Sequence, residues 1–595
     1  MTTFIERVRR GEPREQGFFM VWFALTFVAL TAFAGLAIEY NRWQQIATRA
    51  QKAADAAALG GAVFMPENAG NKAYTTAQTI ASENGFTNGS GGVTITTAPG
   101  SLPNQLKVTV AINTKNPWGA IVNYNNTTIV RSAVAEYQLP QNLGSPQNSY
   151  GNDPESAAAQ PQLWGNVFGP SSNKDKGDAI QGAGPAPAAA SLCNADNCPS
   201  SVNKDYDLNG YFYGIDVPAG MSGALNVQVY DPGFVHVGDN CGGSDGNAAN
   251  SLNAAATLTA AQIPGYSTMS PTITPAVRYA SAASSAFCNG DNYYGDGSNT
   301  ANPWTTWTLR APDISTWDPT NNPIVCQAEF PGVYPETTNG QPNGTIDANA
   351  LKTLLQQSTN YPGTNPARTF ASFFRQWVQI CSVNSPVQGT YFLQVQTGKK
   401  IDGTAAPNGG GSNRFSIRVG AGSNFATSNG LHVYGNQRMG AYANATGANT
   451  QFFLTRVLPG EAGKTLVLNF YDTGDASQPG TLAVLPPTDS NLTGGVFANC
   501  TYTQPPGNAT GPPWGTFSNT GSGCSISGVS NSGTPNYNGQ WVTWEIPIPG
   551  TYTCNSSDPL GCWTKLQFVY PAGTNVSDTT TWSAYILGEP VRLIK

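Results

Sequence analysis

Apolar residues run without a single charge from Phe18 to Ile38 (FFMVWFALTFVALTAFAGLAI). Twenty-one residues at ~1.5 Å each reach across a hydrocarbon core of about 30 Å, so the pattern predicts one transmembrane helix over 18–38. Past it, Tyr40, Trp43, Ile46, Ala47, Ala50, Ala54 and Ala57 recur at helical spacing, which predicts that the helix continues beyond the span. The small-residue face ending AADAAALGGA (Ala53 to Ala62) suits close approach of another element. Both the protein's own strands and an assembly partner fit that face. The period then changes from helical to alternating over Gly92–Thr97, Leu106–Ile112 and Thr127–Tyr137, which predicts strands. Residues 39–140 therefore read as a small α+β unit.

A Gly/Pro/Ala/Ser-rich stretch over 141–200, including GAGPAPAAAS, reads as a linker, although Trp164, Phe168 and GPSSNKDKGD also suit the opening of a domain. Farther on, FYGIDVPAGMSGALNVQVYDPG (Phe212 to Gly233) aligns without gaps on FLTRVLPGEAGKTLVLNFYDTG (Phe453 to Gly474). Gln376–Tyr391 also echoes Gln540–Tyr552. Such self-similarity predicts two related domains, 201–420 and 421–595. Frequent Gly/Pro/Asn turns between Val/Thr/Tyr/Trp-rich alternating segments make both β-sandwiches, the jelly roll being one form open to them. The expected fold class is mainly β, with the membrane helix extended into the α+β unit.

Flanking charge orients the span. Arg7, Arg9, Arg10 and Arg14 precede it, against Arg42, Arg49 and Lys52 after it. The bias places a leader, 1–17, in the cytoplasm and the body on the exported side of the inner membrane. A cleavable signal peptide competes, because Ala32-Phe33-Ala34 has the form of a cleavage site. The apolar run is longer than a signal core and continues past that site, which favours an uncleaved anchor. Ten cysteines, all beyond the span, agree with an oxidising compartment. Spacing suggests the local bridges 193–198, 241–288, 326–381, 500–524 and 554–562, while sequence alone leaves the connectivity open. Charged residues are only 11% of the chain, but 24 Tyr and 13 Trp argue for folded, turn-rich structure rather than disorder. A net charge of −6 offers no basic surface, so nucleic acid is set aside as a partner.

Catalytic signatures are absent. Only His236 and His432 occur, with no HExxH or GxSxG motif, so triad and zinc-hydrolase chemistry lack their parts. A carboxylate-pair glycosidase stays open but has no motif. The sharpest local pattern is Asp205, Asp207 and Asn209 before Gly210, with Asp216 at the twelfth place. Alternating oxygen ligands around a glycine copy a calcium loop; the same residues also make a metal-free β-turn. Calcium is the one cofactor the sequence suggests. Asp231 and Asp472 of the Tyr-Asp-x-Gly elements are expected to cap turns. Trp304, Trp307 and Trp317 suit either a sugar-stacking platform or a core.

The segment from Gln16 to Ala62 resembles the N-terminal module of the TadE/TadG-like family of Flp (Tad) pilus assembly. The resemblance rests on Arg14-Glu15-Gln16-Gly17, on Phe33-Ala34-Gly35-Leu36-Ala37-Ile38-Glu39-Tyr40 and on Ala53 to Ala62, and the module's end is echoed in Arg131 to Tyr137. Pilin-like members carry Glu five residues after the processed Gly, where this chain has Trp22. The larger, TadG-like members fit better, although the DxSxS metal motif that some of them carry is missing. The resemblance implies an envelope protein that helps assemble or anchor a pilus or related surface structure. It would act by binding, with the bilayer and other envelope or pilus-assembly proteins as partners. A surface adhesin or carbohydrate-binding protein is the alternative, and a secreted hydrolase comes third.

Overall fold

The computed structural model describes residues 13–65, 71–100, 105–137, 140–153, 163–183, 203, 205–235, 290–292, 303–312, 319–332, 373–374, 377–406, 409–446, 449–476, 478–492, 495–504, 515–519, 523–530, 537, 539–571, 575–587 and 591–594. They fall into two compact units, one formed by Met1–Leu139 with Gly588–Lys595 and the other by Pro140–Leu587.

The first unit is built on helix α1 (Pro13–Ala62). Between Phe18 and Ile38 every side chain is exposed, with Gly35 alone buried. Thr26 and Thr31 turn their hydroxyls back onto the helix, donating to Trp22 O (2.7 Å) and Phe27 O (2.9 Å). Both threonine hydroxyls of the apolar segment are thereby hydrogen-bonded within the helix. From Ala47 onward the same helix has a buried stripe, Ala50, Ala53, Ala54, Ala57, Ala58 and Ala62. The stripe packs against helix α2 (Lys72–Glu83) and a sheet of β1 (Val93–Pro99), β2 (Gln105–Lys115) and β3 (Asn126–Tyr137). Ala73, Ala77 and Ala81 face it from α2; Leu106, Val108, Val110, Ala133 and Ala135 face it from the sheet. A last strand, Val591–Ile594 (β25 in chain order), pairs antiparallel with β3, Leu593 opposite Ala135.

The second unit is a sandwich of two antiparallel sheets. Its strands run in chain order through β4 (Asn142–Leu143), β5 (Ser149–Tyr150), β6 (Leu163–Phe168), β7 (Tyr211–Val217), β8 (Leu225–Tyr230), β9 (Thr305–Arg310) and β10 (Ile324–Phe330). They continue with β11 (Trp377–Val383), β12 (Gly389–Thr397), β13 (Ser412–Ala421), β14 (His432–Asn436), β15 (Arg438–Thr446), β16 (Asn449–Arg456) and β17 (Thr465–Tyr471). The last are β18 (Gly480–Leu485), β19 (Cys500–Gln504), β20 (Gly515–Asn519), β21 (Cys524–Val529), β22 (Trp541–Pro547), β23 (Trp563–Val569) and β24 (Asn575–Ile586). One sheet has the order β10-β9-β12-β7-β14-β4-β16-β23-β18-β21; the other has β11-β8-β13-β6-β15-β24-β17-β22-β19-β20, with β5 beside β13. The inward residues of both sheets form one continuous apolar core. Cross-sheet aromatic pairs such as Trp307–Phe415 (4.8 Å between centroids, 89°) and Phe452–Trp582 (6.3 Å, 61°) fill it.

Three expectations about domain layout are corrected here. The segment taken for a linker, 141–200, supplies β4, β5 and β6 among its described residues. β4 joins β14 to β16 and β6 joins β13 to β15, so these strands stitch the two halves of each sheet together. Its glycines serve close packing rather than flexibility: a Cβ on Gly165 would lie 2.4 Å from the Phe415 ring. The sandwiches expected at 201–420 and 421–595 share continuous sheets, β14 pairing with β7 across that boundary. Finally, 591–594 belongs to the first unit's sheet rather than to the second sandwich.

On either side of the seam the sheet orders mirror each other. β7 and β16 hold matching places, as do β8 and β17, and these are the strands of the two aligned segments. Cys326–Cys381 ties β10 to β11, and Cys500–Cys524 ties β21 to β19, each bridging the two sheets. Cys554–Cys562 closes a short loop. These are three of the five pairings that spacing suggested; 193–198 and 241–288 lie outside the described residues.

Candidate functional site

Helix α1 leaves its apolar segment bare and then becomes tightly held by the chain itself. Gly35 lies under Trp118, whose ring would be 2.5 Å from an added Cβ. One turn later Glu39 is buried and accepts a hydrogen bond from Trp118 N (2.9 Å). Arg42 Nη1 donates to Lys115 O (2.9 Å) and Trp43 Nε1 to Asn116 Oδ1 (3.2 Å). The contacts recur every three to four residues, as one face of a helix requires. The Ala stripe beyond is fully covered by α2 and the sheet. Of the two occupants that fit this face, the protein's own residues hold it, because only alanine-sized side chains let α1, α2 and the sheet come this close.

Compared with known proteins, residues 17–63 match the Tad family model ("Putative Flp pilus-assembly TadE/G-like"). The N-terminal helix is similar to the TadE/G-like module. The match covers α1 from the start of its bare apolar segment to the end of its alanine stripe. No curated protein and no solved structure matches the chain.

Beyond the matched helix, the residues of the calcium-like pattern do not converge. Asp207 Oδ1 accepts from Asn209 N (2.9 Å) and Gly210 N donates to Asp207 O (3.0 Å), which makes the metal-free turn. The carboxylates are already engaged. Asp205 Oδ2 takes Lys174 Nζ (3.2 Å) and Trp541 Nε1 (3.1 Å), and Asp207 Oδ2 takes Arg438 Nη2. Asp216 sits five residues into β7, which at ~3.3 Å per residue is ~17 Å along the strand. There it accepts from Thr390 (2.8 Å) and Tyr434 (2.9 Å) and lies opposite His432. Spacing in sequence imitated the loop, but the strand carries the twelfth residue away from it. Lys174, Arg438 and Trp541, which fix the turn, come from distant segments and left no local signal.

The Tyr-Asp-x-Gly aspartates do hold turns. Asp231 and Asp472 take positive φ (56° and 60°), a region Asp tolerates better than most residues, and both are buried. Asp472 Oδ1 accepts from Gly539 N. Asp578 of β24 accepts from Gly474 N (3.0 Å) in the same turn and is fully buried. Burial pushes the Asp578 carboxyl up to about 7 and raises Asp472 as well, the latter helped by the neighbouring Asp475. A further buried carboxyl, Asp178, accepts from Phe168 N, Ile180 N, Gln181 N and Tyr211 OH, anchoring the segment before β7. Nothing in the sequence singled it out.

Trp307 is wholly buried and donates to Pro232 O (2.9 Å). Trp304 is buried too, with Lys400 Nζ 4.8 Å over its ring. Neither presents a face for a sugar, and Trp317 lies outside the described residues, as does His236. His432 is part-buried, which lowers its imidazole from the ordinary value. Asp489 lies beside Cys554 and Cys562. Those sulfurs are bonded to each other, and the carboxylate instead accepts from Asn555 N (2.8 Å) and Cys562 N (3.2 Å).

Proposed function

We propose that this protein is a membrane-anchored, TadG-like envelope protein that assists assembly or anchoring of a Flp/Tad-type pilus or related surface structure, and that it acts by binding rather than catalysis. The observation that carries the reading is the coincidence of the TadE/G-like match, 17–63, with a helix whose first half is bare and apolar and whose second half is locked into its own α+β unit. An arrangement of this kind fixes a rigid body at a set distance from a bilayer. The N-terminus is cytoplasmic in this reading, with the disulfide-bridged sandwich on the exported side, where its bridges persist. Exposed strands and loops of the sandwich would carry the contacts with pilus or envelope partners.

The test is deletion of the gene with complementation by the full chain, scored by surface pili, together with crosslinking in membranes. Loss of pili and co-purification of pilus-secretion components are expected. Normal piliation, with only glycan or cell-wall material captured, would overturn the reading in favour of an adhesin. Trp304 and Trp307 are buried, so neither offers a ring to that alternative.

A further inference from the structure

We propose that the turn between β2 and β3, Asn116–Asn125, is a second membrane contact, a foot that rests in the outer headgroup region beside the exported end of the α1 span. The proposal rests on the anchor reading above.

Three observations converge on it. First, the turn exposes large apolar side chains that the unit's own core does not use. Ile121 is 77% exposed, Tyr124 51% and Trp118 42%. None of the ten residues from Asn116 to Asn125 is charged. Second, the turn is held at a defined height. Trp118 packs on Gly35 and its backbone N–H is fixed by buried Glu39, while Trp43 and Tyr124 meet edge to face at 6.4 Å. Gly35 lies seventeen residues after Phe18, which at ~1.5 Å per residue is ~26 Å up a span of about 30 Å. The Trp118 ring thus sits level with the last turn of the apolar segment. Third, the chemistry around the turn is graded. Ile121 is purely apolar, Trp118, Tyr124 and the exposed Tyr40 are amphipathic rings, and exposed Arg42 and Lys115 follow. Aromatic rings at the interface with basic side chains above them match the layering of a bilayer surface. The exposed Trp118 ring touches the apolar segment at Gly35, so lipid that surrounds the helix there also meets the foot.

Two contacts, helix and foot, would set both the depth and the rotation of the module. A helix alone can tilt and turn about its axis.

The test uses the full-length protein in phosphatidylcholine–phosphatidylglycerol vesicles. An environment-sensitive fluorophore is placed in turn on Ile121→Cys, on Phe27→Cys within the span and on Lys107→Cys on exposed β2. Lipids carrying a nitroxide near the glycerol backbone or at mid-chain serve as quenchers. The Ile121 reporter is expected to be quenched more by the shallow label, the Phe27 reporter more by the deep one, and the Lys107 reporter by neither. Quenching at Phe27 with none at Ile121 overturns the foot and leaves the anchor standing. A blue-shifted but unquenched Ile121 reporter means a protein covers the turn, and likewise overturns it. No quenching at Phe27 overturns the anchor reading and the foot together.

Discussion

Gly60 and Gly61 are neighbours near the end of α1, yet alanine should act on them in opposite directions. At Gly60 an added Cβ would meet Ile80 Cδ1 at 2.1 Å, the far end of a part-exposed side chain that can rotate away. At Gly61 it would meet Ala73 O at 2.6 Å and Leu106 Cδ2 at 2.5 Å, with Ala77 Cβ at 3.1 Å. The carbonyl belongs to α2, so relief there requires a whole helix to move. Gly→Ala in a helix gains up to about 1 kcal/mol of propensity. Forcing a methyl group into a closed contact costs about 1–3 kcal/mol. Gly60→Ala should therefore be neutral to stabilising by up to about 1 kcal/mol, and Gly61→Ala destabilising by up to about 2 kcal/mol once the propensity gain is subtracted. Hydrogen exchange of α2 amides in the detergent-solubilised full chain reads this directly. The two variants should differ in α2 protection by roughly tenfold or more, since about 1.4 kcal/mol is tenfold. Equal protection, or better protection in Gly61→Ala, would refute the claim that the alanine stripe is closed by the protein's own α2.

Other outcomes follow from the sandwich. Chain separations of 55, 24 and 8 residues give loop-entropy contributions of about 4, 3.5 and 2.5 kcal/mol, so Cys→Ala pairs should lower the thermal midpoint most at 326–381 and least at 554–562. The reverse order would refute the chain-entropy account. Asp578, ordinarily near 3.8, is raised to about 7 in the folded state. Its contribution to stability is present below about pH 4 and is lost as pH rises toward 7, at up to about 1.4 kcal/mol per pH unit. Asp578→Asn should flatten that decline in guanidinium unfolding between pH 4 and 7, and an unchanged slope would place the proton elsewhere. Because Lys174 and Arg438 already neutralise Asp205 and Asp207, chelator and added calcium should both leave the melting curve unmoved. A chelator-induced loss of stability would restore the calcium loop.

Local signals in the sequence proved readable, and signals that depend on distant neighbours did not. The charge-free run from Phe18 located the bare helix because length and apolarity alone decide it. Alternation over Leu106–Ile112 found β2 because its inward residues all face one helical layer. Cysteine spacing reached the right pairs at 326–381, 500–524 and 554–562. Composition misled at Gly165, where small residues signal a ring packed overhead, not a linker. It left platform and core both open at Trp307, whose burial depends on Phe415, more than a hundred residues away. The Asp205–Asp216 spacing left loop and turn both open for a related reason: twelve residues of loop and twelve of loop plus strand have the same spacing in sequence and very different reach in space.

The pairing of β25 with β3 means that the polypeptide crosses between the two units twice, once after β3 and again before β25. The sandwich is thus an insertion within the smaller unit, not a tail hung from it. A cut at the first crossing leaves the body held through β25 and its hydrogen bonds to β3, and a cut at the second leaves it joined by the backbone at the first. Shedding the body from a cell would take two cuts, or one cut together with the unzipping of a strand.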